Sequence, residues 1–145
     1  MISNNKMVVK TEKLKVRISA NGGMADITGQ VKEKVEGSGL SEGAVTVFIP
    51  GATGSVSTIE YEPGLLKDFP QAMERIAPAD IDYEHHKTWG DDNGRSHVKA
   101  TLMGPSLVVP FVDGKLTLGT WQQITVINFD TGERDREIIL QIMGE

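Results

Sequence analysis

The most constraining stretch of this chain is the run SLVVPFV at residues 106–112, because it is apolar on both faces. A strand that is apolar on both faces has to be covered on both sides. Pro110 lies inside the run and cannot donate a hydrogen bond to a neighbouring strand, so the run is predicted at a sheet edge or a bulge. In a chain of 145 residues, another subunit is a candidate for the second cover. The run therefore predicts a sheet and gives a reason to expect assembly.

Further strands are predicted from alternation and from β-branched residues. Leu14, Val16 and Ile18 alternate with cations, which is the period of a half-buried strand. Asp113-Gly114 is a hairpin signal after the apolar run. The segment 55–61 is expected to lie beside the strand at 45–49, and Gly119 is expected to interrupt one long strand. The predicted strands are Lys13–Ile18, Val45–Ile49, Ser55–Tyr61, Ser106–Val112, Leu116–Phe129 and Arg136–Met143.

Helices are predicted where apolar residues recur at helical spacing. The first has Ile27, Val31 and Val35 in its apolar stripe, with Thr28 as the expected N-cap. The second covers Pro63–Ile76, and a third is capped by Asn93 or Ser96 and ends at Met103 before Gly104-Pro105. The stripe of the second helix is predicted to contain Leu65, Phe69, Met73 and Ile76. The order of elements predicts an α+β fold, with a mostly antiparallel sheet and two to three short helices, in one domain over residues 1–145.

Composition narrows the classes of function. The net charge is −5 without a block of like charges, which argues against nonspecific binding to nucleic acid or to an anionic membrane. The chain has no cysteine, so thiol catalysis and thiolate metal sites are excluded. No apolar run approaches the roughly 20 residues needed to cross a bilayer, and the first residues lack the apolar core of a signal peptide. A cytoplasmic protein is expected.

The candidate chemistry is concentrated between Tyr83 and Gln123, where all three histidines lie. His85 and His97 flank a polar loop, and a neutral imidazole can bind a metal or act as an acid and base. Asp91 and Asp92 in that loop could bind a hard metal or orient an imidazole. Loop carboxylates that form Asx turns are the competing interpretation.

Two places could hold a phosphate. Ser96 and His97 lie near the start of a predicted helix, where backbone N–H groups and the helix dipole attract anions. Arg136 opens the last predicted strand and could clamp a phosphate. A surface ion pair of Arg136 with Glu133 or Asp135 is the alternative.

Other polar residues allow two interpretations each. Trp121 could stack on a ligand ring or belong to the core, and one of Gln122 and Gln123 is expected to face inward. The loop Gly51–Gly54 lacks the glycine–lysine spacing of a phosphate-binding loop, which favours a tight turn between strands. Lys99 lies off the face of His97, and a solvated lysine is an equally good interpretation.

Four segments resemble the YjbQ-like family, some members of which are labelled secondary thiamine-phosphate synthase enzymes. These segments are YEHH, SHVKATLMGPSLVVP, GKLTLGTWQQI and RDREIILQIMGE. The resemblance follows the whole chain in order and is strongest from Tyr83 onward. It implies an α+β fold with a β-sandwich, a homotrimer, and a polar pocket near the subunit contacts.

The resemblance also implies site positions. The residues that match the family's motifs are Glu60, His85, His97, Thr120, Trp121, Gln122 and Arg136. Two positions depart from the pattern. His86 stands where many members have aspartate, and Gly51 stands where many bacterial members have a His-Thr pair. A metal site of three histidines would therefore lack its third ligand here unless His86 substitutes for it.

Three functions compete at this point. The first is an enzyme acting on a small phosphorylated molecule, such as a weak thiamine-phosphate synthase. In it Arg136 and the helix start at Ser96-His97 hold phosphate, His85 handles a proton, Trp121 stacks on a ring, and Mg²⁺ has Asp91 or Asp92 as ligands. The second is a zinc-dependent hydrolase in which His85, His97 and a carboxylate bind the metal. The third is a non-catalytic trimer that binds a metabolite.

Overall fold

The structure is a computed structural model that describes residues 6–145. Over that range the chain forms eight strands and four helices. Their bounds are β1 Val8–Ile18, β2 Gly23–Asp26, α1 Thr28–Gly37, β3 Gly43–Phe48, β4 Gly54–Ile59, α2 Leu65–Ile76, α3 Glu84–Trp89, α4 Gly94–Met103, β5 Ser106–Val112, β6 Lys115–Leu116, β7 Gln123–Asn128 and β8 Arg134–Gly144. The predicted α+β class is confirmed, with four short helices in place of the expected two to three.

The strands form two antiparallel sheets that share one hydrophobic core. The larger sheet has the order β1-β8-β3-β5-β6, and the smaller has the order β2-β7-β4. Their inner faces meet in one cluster, to which Leu140 contributes from β8, Val47 from β3 and Val126 from β7. Val31 and Val35 of α1 complete this cluster, so the helix covers one part of the space between the sheets.

Local patterns predicted several elements correctly. The alternation at Lys13–Ile18 belongs to β1, which is longer than expected and pairs along its whole length with β8. Asp113 and Gly114 have φ values of 54° and 71° and join β5 to β6, as a two-residue hairpin turn requires. Asn93 immediately precedes α4, as expected, although its side chain makes no cap hydrogen bond.

One predicted strand pairing and one predicted strand extent are wrong. β4 does not lie beside β3 but pairs with β7 in the other sheet. The expected long strand Leu116–Phe129 is two strands in different sheets, because a turn at residues 117–122 carries the chain across. Gln122 closes this turn: its N–H donates to the Gly119 carbonyl at 3.1 Å, and its Oε1 accepts from the Gly119 N–H at 2.8 Å.

The helix predictions need three corrections. Thr28 is the first residue of α1 rather than its N-cap, and its N–H donates to the Asp26 carboxylate at 2.9 Å. Ile76 is 62% exposed, so the buried stripe of α2 ends at Met73. Helix α3 was not predicted, because its six residues carry no apolar periodicity. Gly90, which ends α3 with φ 72°, is the helix-stop signal that could have revealed it.

The run that is apolar on both faces has one face in the core and one face uncovered in this chain. Val109 and Phe111 of β5 are buried, whereas Val108 is 58% and Val112 is 47% exposed. Pro110 lies near the sheet edge as predicted, since within residues 6–145 the only strand beyond β5 is the two-residue β6. The homotrimer that would cover this face stays a prediction. None of the helices within residues 6–145 combines the length and apolar character needed to span a bilayer.

Replacement of Leu140 by alanine tests the shared core. Leu140 is fully buried in β8, and we expect Leu140→Ala to lower the free energy of unfolding by about 2–5 kcal/mol. The neighbouring exposed Gln141 is the control, and Gln141→Ala should change it by about 0.5 kcal/mol or less. Urea unfolding followed by circular dichroism measures both, and equal small losses would contradict the assigned core.

Candidate functional site

The structure brings His85 of α3 and His97 of α4 together. Their ring centroids lie 4.4 Å apart with a tilt of 50°. Gly94, the first residue of α4, allows this approach, because a Cβ there would lie 2.5 Å from the Cβ of Tyr83 just before α3. The Tyr83 hydroxyl also donates to the Pro78 carbonyl at 2.6 Å, which fixes the start of α3. The two imidazoles thus meet because a glycine lets the two helix starts touch.

The His85 ring has both a hydrogen-bond acceptor and a donor within reach. Its Nε2 lies 3.2 Å from Asp91 Oδ1. The Asn93 amide has two orientations. In one, its nitrogen donates to His85 Nε2 at 3.2 Å and to the Asp91 carboxylate oxygens at 3.2 and 3.3 Å. In the other, it donates to Asp130 Oδ1 at 3.5 Å. We favour the first because it makes three shorter contacts.

Below the histidines lies a buried polar network that sequence reasoning missed. Arg136 is 5% exposed, and its Nη2 donates to Thr53 Oγ1 at 2.8 Å and to Asn128 Oδ1 at 2.6 Å. The Thr53 hydroxyl donates to Asp130 Oδ2 at 3.0 Å, and Asp130 Oδ1 lies beside Asn93. Side chains in contact therefore run from His85 to Arg136. No local pattern marks Thr53 or Asp130 as a site residue, and Asn93 was expected only as a helix cap, because the roles of all three depend on the folded contacts.

Arg136 does not form the surface ion pair with Glu133 or Asp135 that their spacing in the sequence allowed. Glu133 and Asp135 instead pair with Arg17 of β1, at 3.3 and 3.4 Å. Burial lowers the pKa of the Arg136 guanidinium, and the nearby Arg134 lowers it further. In the part of the chain that the structure describes, its buried Nε has no hydrogen-bond partner. The phosphate clamp that the sequence predicts at Arg136 stays a prediction.

Asp130 is a buried carboxylate held in its ionised form. Burial raises its pKa, but hydrogen bonds from the Thr131 N–H and Thr53 and the charge of Arg134 together bring the pKa below its usual value. Arg134 Nη2 lies 2.9 Å from Asp130 Oδ2. Since Asp130 is 4% exposed, these partners are what makes a charge tolerable there.

The predicted residues Thr120, Trp121, Gln122 and Glu60 are not brought to the histidines within one chain. Gln122 Nε2 donates to Thr58 Oγ1 at 3.5 Å, near the end of β4 that lies away from Thr53. The six residues of β4 span about 17 Å. Trp121 is 70% exposed, so it is not a core residue, and Gln123 rather than Gln122 is the more buried of the pair.

The start of α4 differs from the predicted phosphate site. The N–H groups of Ser96 and His97 both donate to the Asn93 carbonyl, at 3.0 and 3.3 Å, so they are already paired. The Ser96 side chain is fully buried, and its hydroxyl has no partner among the residues described. The binding role of Ser96 stays a prediction, and the position of its side chain does not support it.

The predicted metal ligands converge only in part. His85, His97 and Asp91 are neighbours, but the Asp92 side chain is 93% exposed and lies 3.9 Å from Arg95. Within residues 6–145, no three histidine, aspartate or glutamate side chains are placed to hold one ion. His85 Nε2 also already faces Asp91. The donor set therefore does not fit Mg²⁺ or Zn²⁺ in this arrangement, and both stay predictions.

Comparison with known proteins gives a consistent family match. The sequence model described as "UPF0047 protein YjbQ-like" matches residues 12–145. A UPF0047 protein from Archaeoglobus fulgidus is 42% identical over 81% of this chain and 89% of its own length. Another from Methanothermobacter thermautotrophicus is 36% identical over 96% and 95%. The crystal structure of a YbjQ-like protein of unknown function from Sulfolobus solfataricus superposes with a TM-score of 0.91 at 31% identity, covering 97% of this chain and 100% of that one.

Replacement of Gly94 by alanine tests how the histidines are brought together. The added methyl group would clash with Tyr83, so we expect Gly94→Ala to lower the free energy of unfolding by about 1–3 kcal/mol and to change the imidazole NMR signals of His85 and His97. Apart from its chain neighbours and the backbone of its own helix, no atom of residues 6–145 lies within 4 Å of a Cβ added to Gly29 of α1, and Gly29→Ala should raise the free energy of unfolding by about 0.5–1 kcal/mol. Equal effects of the two substitutions would contradict the assigned contact.

Acid titration of stability tests Asp130. Its pKa is lowered in the folded protein, so its contribution is complete above the unfolded pKa of about 3.9 and is lost as the pH falls through the folded value. We expect Asp130→Asn to cost about 1–3 kcal/mol at pH 7 and less at acid pH. Asp113→Asn in the exposed hairpin turn is the matched control and should have little effect at either pH. A constant difference between wild type and Asp130→Asn would contradict this role.

Proposed function

This chain belongs to the UPF0047 YjbQ-like family, and from that premise we propose that it is an enzyme acting on a small phosphorylated molecule, with His85 as its acid–base residue. The observation that carries the proposal is the position of His85 Nε2, with Asp91 Oδ1 and the Asn93 amide nitrogen each 3.2 Å away. The protonated ring would donate to Asp91, and the neutral ring would accept from Asn93. Both protonation states thus have a partner, which suits a residue that takes up and releases a proton.

We assign His97 the second catalytic position. Its ring packs against His85 at 4.4 Å, and both rings are only partly buried, so a ligand can reach them. A second imidazole beside the first can donate to a substrate oxygen while His85 exchanges a proton. His86 takes no part in this proposal, because its Nδ1 contacts the Asp91 carbonyl at 2.6 Å and supports the loop.

The phosphate group is proposed to bind beside Gly51 and Arg136. A Cβ on Gly51 would meet only Arg136 Nη1, at 3.0 Å, so the missing side chain leaves room in front of the guanidinium. Gly51 has φ 111°, a conformation that side chains rarely adopt, so glycine suits this position, where the family resemblance implies a His-Thr pair in many bacterial members. Arg136 would offer Nη1 to phosphate while Nη2 stays bound to Thr53 and Asn128.

Thiamine-phosphate formation is the first reaction to assay. In it a nitrogen of the thiazole phosphate forms a bond to the methylene carbon of the pyrimidine diphosphate, and the carbon–oxygen bond breaks to release pyrophosphate. The protonated His85 would deliver its proton to the departing pyrophosphate oxygen. Trp121, 70% exposed, is proposed to stack on a ring only where a further subunit brings it to the histidines. No step is assigned to a metal.

A zinc hydrolase is the second candidate: the two imidazoles are adjacent, but because residues 6–145 of one chain place no set of three ligands, it requires a further ligand from another subunit. Elemental analysis of protein purified without a metal-affinity tag separates it from the first. Stoichiometric zinc would favour the hydrolase, and substoichiometric zinc in every preparation would count against it. A non-catalytic trimer that binds a metabolite is the third, and it predicts ligand binding without turnover by the wild type.

Substitution of the histidines tests the acid–base proposal. We expect His85→Gln and His97→Gln each to lower kcat for thiamine-phosphate formation by about 10²–10⁴-fold while binding of the thiazole phosphate is retained. Lys87→Gln is the control, because Lys87 lies on the same short helix and pairs with Glu84 in solvent. Unchanged turnover in both histidine variants would remove these residues from the chemistry. No turnover by the wild type would reject this reaction.

A further inference from the structure

A cavity lies on the side of α4 opposite the histidine pair. It has a volume of about 310 Å³ and is lined by α2, α4, the turn after β1 and Phe129. None of the residues that line it belongs to the contacts between His85 and Arg136. Its volume is at the lower end of the range of about 300–1,000 Å³ that is typical of small-molecule pockets.

Two cations of α4 face this cavity. Arg95 and Lys99 are four residues apart, so they project from the same side of the helix, and both line the cavity. His97, two residues from each, is rotated by roughly 200° around the axis. One helix therefore presents His97 to one site and these two cations to the other.

Lys99 is a buried partner of Glu74 rather than a solvated lysine. It is 9% exposed, and its Nζ donates to Glu74 Oε2 at 2.9 Å. Glu74 Oε1 accepts from the Ala79 N–H at 2.6 Å. The Ala79 N–H, followed by Lys99, lowers the pKa of Glu74, so the pair stays ionised and its charges cancel.

Arg95 supplies the remaining charge of the cavity. Its side chain is 16% exposed, and its Nη1 donates to the Asp92 carbonyl at 2.7 Å. Its hydrogen bonds to the residues described use Nη1 alone, so Nε and Nη2 are left to bind a ligand. Among the residues that line the cavity, Arg95 and Lys99 are positive and Glu74 is negative, which gives a net charge of +1. Outside the lining, the solvent-exposed Asp92 carboxylate lies 3.9 Å from Arg95 Nη1.

The rest of the wall combines apolar side chains with polar groups. Pro70 and Met73 come from α2, Phe129 follows β7, Ala79 closes one side, and the turn Asn21–Gly22 adds amide groups. From these features we infer that the cavity binds a small organic monoanion with an apolar or aromatic body, its carboxylate directed to Arg95. Inorganic phosphate would leave the apolar wall unused and would meet Glu74, and an organic cation would be repelled by Arg95.

Calorimetric titration with phenylacetate tests this inference, and phenylacetamide is the neutral probe of the same shape. The wild type should bind phenylacetate saturably. Its affinity for phenylacetamide should be lower by about tenfold or more, and inorganic phosphate should not compete with phenylacetate. Arg95→Gln should weaken phenylacetate about tenfold, whereas Lys67→Gln on the exposed side of α2 should leave binding unchanged.

Ala79→Phe is a second variant, which tests binding without removing Arg95, in case Arg95→Gln loses binding only because it unfolds. Ala79 is an exposed residue of the wall, and a phenyl group there should fill the cavity and abolish binding while Arg95 and the fold stay intact. A solvent-filled cleft without a ligand predicts no saturable binding up to about 10 mM, and that result would overturn the inference. Equal affinity for the acid and the amide, or unchanged binding in both Arg95→Gln and Ala79→Phe, would also overturn it. These experiments measure binding to the cavity and not thiamine-phosphate formation, so failure of the proposed function would leave their outcome unchanged.

Discussion

The buried guanidinium of Arg136 is the interaction on which the site end of this structure depends. It extends from β8 of the larger sheet to Asn128, at the end of β7 in the smaller sheet, and to Thr53 in the loop before β4. Asn128 in turn donates to the carbonyls of Ile18 and Ser19 at the end of β1. A buried cation costs several kcal/mol unless it is hydrogen-bonded, so these acceptors and the nearby Asp130 charge must stay in place for the sheets to close here. His85 is linked to this network through Asn93, which lies beside Asp130.

Sequence reasoning found most of the elements because strand alternation and helical spacing are local properties. It failed on which strands pair, since the apolar pattern of β4 would suit either β3 or β7. Arg136 illustrates the same limit. Spacing alone allowed it to pair with Glu133 or Asp135, but Arg17 lies opposite Asp135 in the β1–β8 register and takes both carboxylates. Arg136 follows Asp135 in β8, so its side chain points to the opposite, buried face. Its partners there come from distant parts of the chain and depend on the fold.

Sequence reasoning identified the reactive groups of the candidate site but missed the residues that support them. Histidines are few and chemically distinctive, so His85 and His97 could be singled out before their contact was known. Thr53 and Asp130 are separated by 77 positions, and their hydrogen bond arises only when the β3–β4 loop meets the end of β7. The early expectation of a tight turn at Gly51–Gly54 did not anticipate that this turn would reach a buried arginine.

The surface that is left uncovered in one chain adjoins the loop of Thr120, Trp121 and Gln122, the part of the proposed site that lies away from the histidines. Val108 and Pro110 of β5 lie beside Gln122 and Thr58 around a shallow depression of about 150 Å³. The exposed apolar face of β5 is thus continuous with the loop that carries Trp121. A partner that covered Val108 and Val112 would also approach this loop, because the two adjoin. Burial of this apolar face is thus a physical reason for assembly, and the loop of Trp121 and Gln122 lies at its border.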